Sequence, residues 1–456
     1  MHWLPRVQRR RCGPGRRFGP ASILALSLFG LAVPMAYGEM VMRQLPNGIR
    51  LIVKPNRSNR ILAIQCFFNV GTFTERPEQD GLTNLVCHSM LKGTKKRSAL
   101  QIAETMEAIG GAVDASASED YVTVSTISTV DDLGVALDVL SDVILHPTFP
   151  PDEVDKERQA ILAAIRQEED NSFRYTYKNF RRLLYEGHSY ALPVLGTAET
   201  LPSITYAHIE DYHREYFTAS NMLAVVVGDV DPDRMTHELA RAFAELPSGQ
   251  GAFVTVAKAF RSRPRSETLT KEIAQAFIVL GYVTDRARSE DYAALKVADA
   301  VLGAGMSSRL FVRLRDRRGL AYAVGSAMPT LRDKSHFFAY IGTKPESTAE
   351  ARDGLLEVVR GLATEPLPDE ELDRAKKQII GHFRIQHQRN SNQAFYLGLY
   401  ETVGLGATYD ETYPDLIKAV TADDVRAVAK KYFRAPTVTI LKPPGAISSP
   451  AGAPQP

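Results

Sequence analysis

The sequence is short of the residues that make disulfide frameworks and membrane spans. It has three cysteines and one tryptophan in 456 residues. Cys12 falls in an N-terminal leader-like segment, leaving Cys66 and Cys87. Two cysteines allow one bridge at most and make no framework, and the reading of both as small buried hydrophobes is preferred. Beyond the leader no stretch approaches the roughly 18 uninterrupted apolar residues of a spanning helix, so no membrane span is expected. An excess of basic charge is missing as well. The whole chain carries a net charge of +2, but residues 1–38 hold six arginines and no acid. The remainder has 49 basic and 53 acidic side chains, a net charge of −4, which gives nucleic acid no electrostatic footing.

What is present begins with that leader. Its arginines precede "ASILALSLFGLAVPMA", and "AYG" follows just before Glu39. A basic start, a continuous apolar core and small residues at the end predict a cleaved secretory signal peptide over 1–38 and a periplasmic destination. A mitochondrial transit peptide shares the arginines but calls for an amphipathic segment, so that address fits less well. "RRF" at Arg16–Phe18 hints at a twin-arginine signal. The rest, 44% hydrophobic and 24% charged over the chain, can bury a real core and is long enough for two or three domains.

The chain repeats itself. "LDVLSDVILHPTFPPDEVDKERQAIL" (Leu137–Leu162) lines up with "LLEVVRGLATEPLPDEELDRAKKQII" (Leu355–Ile380), 218 residues later. Each copy runs from an amphipathic helix through a proline-rich turn and acidic residues into a second helix, the pattern of a helix start. Period-two runs surround both copies: "GIRLIVKP", "ILAIQCFFNVG" and "YVTVSTIS" in the first half, "AQAFIVLGYV" and "HFFAYIGTK" in the second. They predict strands with one buried face. Two homologous halves of α+β class follow, each a sheet covered by helices. The expected boundaries are 39–247 and 266–442, with a polar linker over 248–265 and a disordered tail over 443–456.

With "LPNGIRLIV" opening the first half, "GLTNLVCHSMLKGT" (Gly81–Thr94), "NMLAVVVGDVDPD" and the second-half "LGAGMSSRLFVRLRDRRGLAYAV", the mature chain resembles the pitrilysin/insulinase-type zinc peptidases. The closest branch is that of mitochondrial processing peptidase and its bacterial relatives. The resemblance implies one half of a clamshell chamber. It also implies an inverted zinc motif His-x-x-Glu-His on a helix, where residues at i, i+3 and i+4 share a face and two imidazoles reach one metal. On this register Asn84 stands at the first histidine, Cys87 at the glutamate and His88 at the second histidine; the third ligand position falls on Ala164. Glu157, a second acid of the family, is kept, and Glu168 lies one turn past Ala164. A catalytic zinc needs three protein ligands and an open position. Cys87 and His88 are consecutive, so they point about 100° apart on a helix and serve neither a metal nor a cysteine nucleophile. No metal or cofactor is expected in this chain.

The second half keeps more. "LRDRRGLAY" preserves the family's Arg-x6-Tyr pair as Arg315 and Tyr322. The resemblance implies that the arginine holds substrate and the tyrosine hydroxyl supports the oxyanion. As residues alone, the two also fit as caps of a helix end near Gly319. In two-chain members of the family one subunit brings zinc and its partner the Arg/Tyr pair. The implied reading is a non-metal subunit whose partner is a zinc-bearing homologue, acting on unfolded peptides bound as an added strand. Asp114 and Ala115, in "GGAVDASASEDYVTV", occupy the substrate-strand position; "GG" also reads as a plain helix-to-strand turn. The alternative is a catalytically inactive peptidase fold that binds peptides or serves assembly, alone or as a homodimer.

Overall fold

The computed structural model describes residues 39–76, 78–249 and 263–445. The leader at 1–38, most of the linker and nearly all of the tail lie outside the described residues.

The first half runs β1 (Val41–Gln44), β2 (Arg50–Pro55), β3 (Ile61–Phe68), α1 (Leu82–Ser89), α2 (Ala99–Ala108), β4 (Ala112–Ala117), β5 (Val122–Thr129), α3 (Leu133–Leu145), α4 (Pro151–Asp170), α5 (Ser172–Leu184), α6 (Tyr206–Tyr216), β6 (Met222–Gly228) and α7 (Pro232–Ala242). The second runs β7 (Ser266–Thr270), β8 (Ala276–Val283), α8 (Tyr292–Gly303), β9 (Ala323–Ala327), β10 (His336–Thr343), α9 (Thr348–Thr364), α10 (Asp369–Gln386), α11 (Asn390–Thr402), α12 (Tyr409–Ala419), α13 (Ala422–Tyr432) and β11 (Thr437–Lys442).

The sheets share a five-strand topology, to which the first adds β1 at one edge. The first is ordered β1-β2-β6-β3-β5-β4 and the second β7-β11-β8-β10-β9. In each, one parallel pair (β2 with β6, β7 with β11) leads into antiparallel strands. The 218-residue offset holds to the residue where the repeat is clearest: α5 spans 172–184 and α11 spans 390–402. The chain is α+β, two sheets covered by helices.

Alternation along β3 shows how each sheet is buried. Leu62, Ile64, Cys66 and Phe68 face the first half's own helices, while Ala63 and Phe67 face the other side. That second face is not covered by the first half. It packs on Ala394 and Leu397 of α11. Reciprocally, Phe180 and Leu184 of α5 pack on Val279 and Phe338 of the second sheet. The halves have exchanged helices, so the core of each includes a piece of the other and they form one compact unit.

Close packing at the exchange is asymmetric at equivalent positions. On α5, Phe180 projects at Gly281 of β8, where an added Cβ would meet its ring at 2.6 Å. The repeat-equivalent residue on α11 is Gly398, which receives Phe67 of β3 at 2.0 Å from a would-be Cβ. The bulky group sits on the helix in one contact and on the strand in the other. Polar bonds fasten the same junction. Asp120 accepts from the Tyr190 hydroxyl at 2.6 Å and the Arg332 amide at 2.9 Å, and Asn56 donates to Asn390 at 2.7 Å.

Candidate functional site

Helix α1 starts where the backbone demands glycine. Gly81 has φ 95°, and a Cβ there would meet Gly196 Cα at 2.7 Å. The buried Glu75 carboxylate caps the start, accepting N–H bonds from Gly81 (3.2 Å) and Thr83 (2.9 Å). Burial outweighs those bonds and pushes the Glu75 carboxyl up to about 7. The helix then packs into the first core, with Leu85, Val86 and Cys87 fully buried.

That burial decides what the motif positions can do. Cys87 and Cys66 are both free thiols, so the two do not pair. Burial, with the Asp114 charge nearby, raises the Cys87 thiol far above its ordinary range, so it is no nucleophile. Asn84 is buried with its amide nitrogen making no hydrogen bond. His88 is partly exposed, and its Nδ1 lies 3.8 Å from Glu157 Oε1 on α4, an ion-pair range rather than a hydrogen bond. The other Glu157 oxygen takes Lys92 Nζ at 2.8 Å. Ala164, further along α4, offers a methyl group. Glu168 makes no hydrogen bond or ion pair with α1 among the described residues.

The α1–α4 groove thus holds His88 and Glu157, with Lys92 added to them, while Asn84 and Cys87 are buried on α1. The donor set does not fit a catalytic zinc: one imidazole, a carboxylate already neutralised by lysine, a primary amide and an alanine. No group of three or more His, Cys, Asp or Glu side chains among the described residues is placed to hold a metal ion. Sequence reasoning missed Lys92, because its partner lies 65 residues away on another helix.

Asp114 and Ala115 lie on β4, which pairs only with β5 and forms an edge of the first sheet. Asp114 is exposed and Ala115 buried. The free edge of this strand has the geometry that accepts an extended peptide.

Arg315 and Tyr322 are in the second half. Phe311–Asp316 form a π-helical turn rather than a regular helix. Arg309 and Arg313 tie this turn to the α9–α10 corner: Arg309 grips Glu371 through two bonds of 2.8 Å, and Arg313 bonds Glu365 at 3.0 and 2.6 Å. Arg315 points away from that network. It is exposed, stacked over Phe311 at 4.9 Å, and forms no ion pair among the described residues. Tyr322 precedes the edge strand β9; its amide is anchored to Gly342 O at 2.9 Å while its side chain is 52% exposed. Neither side chain makes a hydrogen bond with another described residue. No hydrogen bond or ion pair joins either to the α1–α4 groove.

Two linked family models match these two halves in turn. The model described as "Insulinase (Peptidase family M16)" matches residues 50–198, which contain the α1–α4 groove. "Peptidase M16 inactive domain" matches residues 203–379, which contain Arg315 and Tyr322. The chain belongs to the insulinase, or M16, peptidase family. An uncharacterized zinc protease of Streptomyces coelicolor is 29% identical over 407 residues, 88% of each chain. The uncharacterized zinc protease YmxG of Bacillus subtilis is 29% identical over 388 residues, covering 85% of this chain and 94% of its own. Among solved structures, a peptidase M16 inactive domain from Pseudomonas fluorescens superposes with a TM-score of 0.84 at 22% identity, over 90% of this chain and 99% of that one. A protease from Helicobacter pylori gives 0.82 at 22% identity, over 89% and 99%. Both share the fold.

Proposed function

We propose that this chain is the non-metal subunit of a two-chain periplasmic peptidase. In this reading it forms one half of a clamshell chamber, and a homologous partner with an intact His-x-x-Glu-His helix brings the zinc. Arg315 and Tyr322 act in trans, the guanidinium holding the substrate and the phenol donating to the oxyanion. A donor aimed at developing charge in a water-poor site is worth about 3–4 kcal/mol. Unfolded peptide lies as an added strand along β4, beside Asp114 and Ala115.

One observation carries the reading. The two side chains with chemistry to offer are exposed and unbonded, while the α1–α4 groove holds a closed Lys92–Glu157 pair. The leader in residues 1–38 supports the periplasmic address. Coexpression with a zinc-motif homologue is the test: peptide hydrolysis must need both chains and must depend on Tyr322.

A further inference from the structure

The duplication gives the second half its own counterpart of the α1–α4 groove, between α8 and α10. His382, on its rim, is the repeat equivalent of Ala164. Here α11 and α12 flank the groove, which forms a pocket of about 500 Å³ that is open to solvent on one side. Its lining has nothing in common with the first.

One wall carries two opposite charges a turn apart on α8. Asp299 Oδ1 accepts from the Ser326 hydroxyl at 2.6 Å, while Oδ2 makes no hydrogen bond with any described residue. Lys296 Nζ donates to Met328 O at 2.8 Å and lies 5.6 Å from the Tyr292 ring centre, which leaves it two further N–H donors. The two attract each other, yet no ion pair joins them. The facing wall is aromatic: Tyr396, Tyr400 and Tyr413. Tyr400 and Tyr413 are buried, and none of the three hydroxyls hydrogen-bonds to a described residue. One carboxylate oxygen and three phenols line this pocket, whose size lies within the roughly 300–1,000 Å³ typical of ligand pockets.

A ligand matched to this lining has an ammonium for Asp299, a carboxylate for Lys296 and a flat apolar body for the tyrosine rings. We infer that this cavity binds a small zwitterion with an aromatic side chain, a free aromatic α-amino acid. The inference stands apart from the trans-acting role of Arg315 and Tyr322, because the cavity contains neither.

Isothermal titration of the full chain with L-phenylalanine tests it. Saturable one-to-one binding is expected. L-phenylalaninamide, without the carboxylate, and 3-phenylpropanoate, without the ammonium, each bind at least tenfold more weakly. Asp299→Asn weakens L-phenylalanine at least tenfold and leaves 3-phenylpropanoate unchanged. Tyr400→Phe, which keeps the ring and removes only a hydroxyl, weakens L-phenylalanine at least threefold and serves where Asp299→Asn does not fold. Absence of saturable binding by L-phenylalanine overturns the inference. So does an affinity unaltered by Asp299→Asn or, where that variant does not fold, by Tyr400→Phe.

Discussion

Lys92 Nζ, in the turn that follows α1, rests 2.8 Å from Glu157 Oε2 of α4, across the groove where the family's metal motif lies. The glutamate side chain is only 12% exposed, and Lys92 is its near cationic partner. Replacing Lys92 by methionine keeps the aliphatic stem and strands the carboxylate. The expected loss is about 1–2 kcal/mol in urea unfolding at pH 7. An unchanged midpoint shows the pair to be incidental.

The same groove predicts the response to metal. Incubated with equimolar zinc and dialysed, the protein retains no stoichiometric metal by elemental analysis, and a chelator leaves its Tm unmoved. Asn84→His, Cys87→Glu and Ala164→Glu together supply two imidazoles, a carboxylate ligand and a base. That triple variant is expected to hold one zinc per chain. Stoichiometric zinc in the unaltered protein contradicts the reading of the groove.

Gly398 and Phe67 test the helix exchange. A methyl at Gly398 would enter the Phe67 ring, 2.0 Å away, so Gly398→Ala is expected to destabilise by about 1–3 kcal/mol despite the better helix propensity of alanine. Phe67→Leu on its own leaves a cavity and also destabilises. Combined, the two changes recover part of the loss, a coupling measurable in a double-mutant cycle. Strict additivity indicates that α11 does not lie on the first sheet.

Two buried groups set opposing pH dependences. His213 is stacked on Phe217, with Nε2 at 2.9 Å from Ile144 O, and burial lowers its pKa to about 4. The unfolded chain takes up that proton near pH 6.5 while the folded chain resists it, so this contribution to stability is present above about pH 6.5 and is lost as pH falls toward 4. Glu75, raised to about 7, works the other way. Its contribution is full below about pH 4.5 and is lost as pH rises through 7. Glu75→Gln removes the second trend, so the variant loses stability more steeply than the parent between pH 7 and pH 4.5 in urea titrations. Parallel curves exclude an elevated Glu75.

The sequence made some of this architecture legible and hid the rest for definable reasons. The 218-residue repeat survives because α4, α5, α10 and α11 need the same proline-turn start and apolar spacing in both halves. Alternation located β3, β5, β8 and β10. It could not say which helix covers which face: the stripe Phe173, Tyr177, Phe180, Leu184 shows that α5 is buried on one side, not that the second sheet buries it. The Asn84, Cys87 and Ala164 positions were read through family resemblance; the Lys92–Glu157 bridge is a tertiary contact with no local signature. Tyr396, Tyr400, Tyr409 and Tyr413 fall at helical spacing and read as ordinary core until α12 is folded over α8. The π-helical turn that presents Arg315 has no local cue in "FVRLRD".

In the proposed complex Arg315 and Tyr322 work on a substrate held with another chain's metal. The direct measurement is hydrolysis of an unfolded peptide by this protein reconstituted with a secreted homologue bearing His-x-x-Glu-His. The account predicts that neither chain alone is active and that the pair is. Tyr322→Phe is expected to lower kcat by about 100-fold; because the side chain is exposed, stability stays within about 0.5 kcal/mol. Full activity from the zinc chain alone, or from a pair carrying Tyr322→Phe, contradicts it.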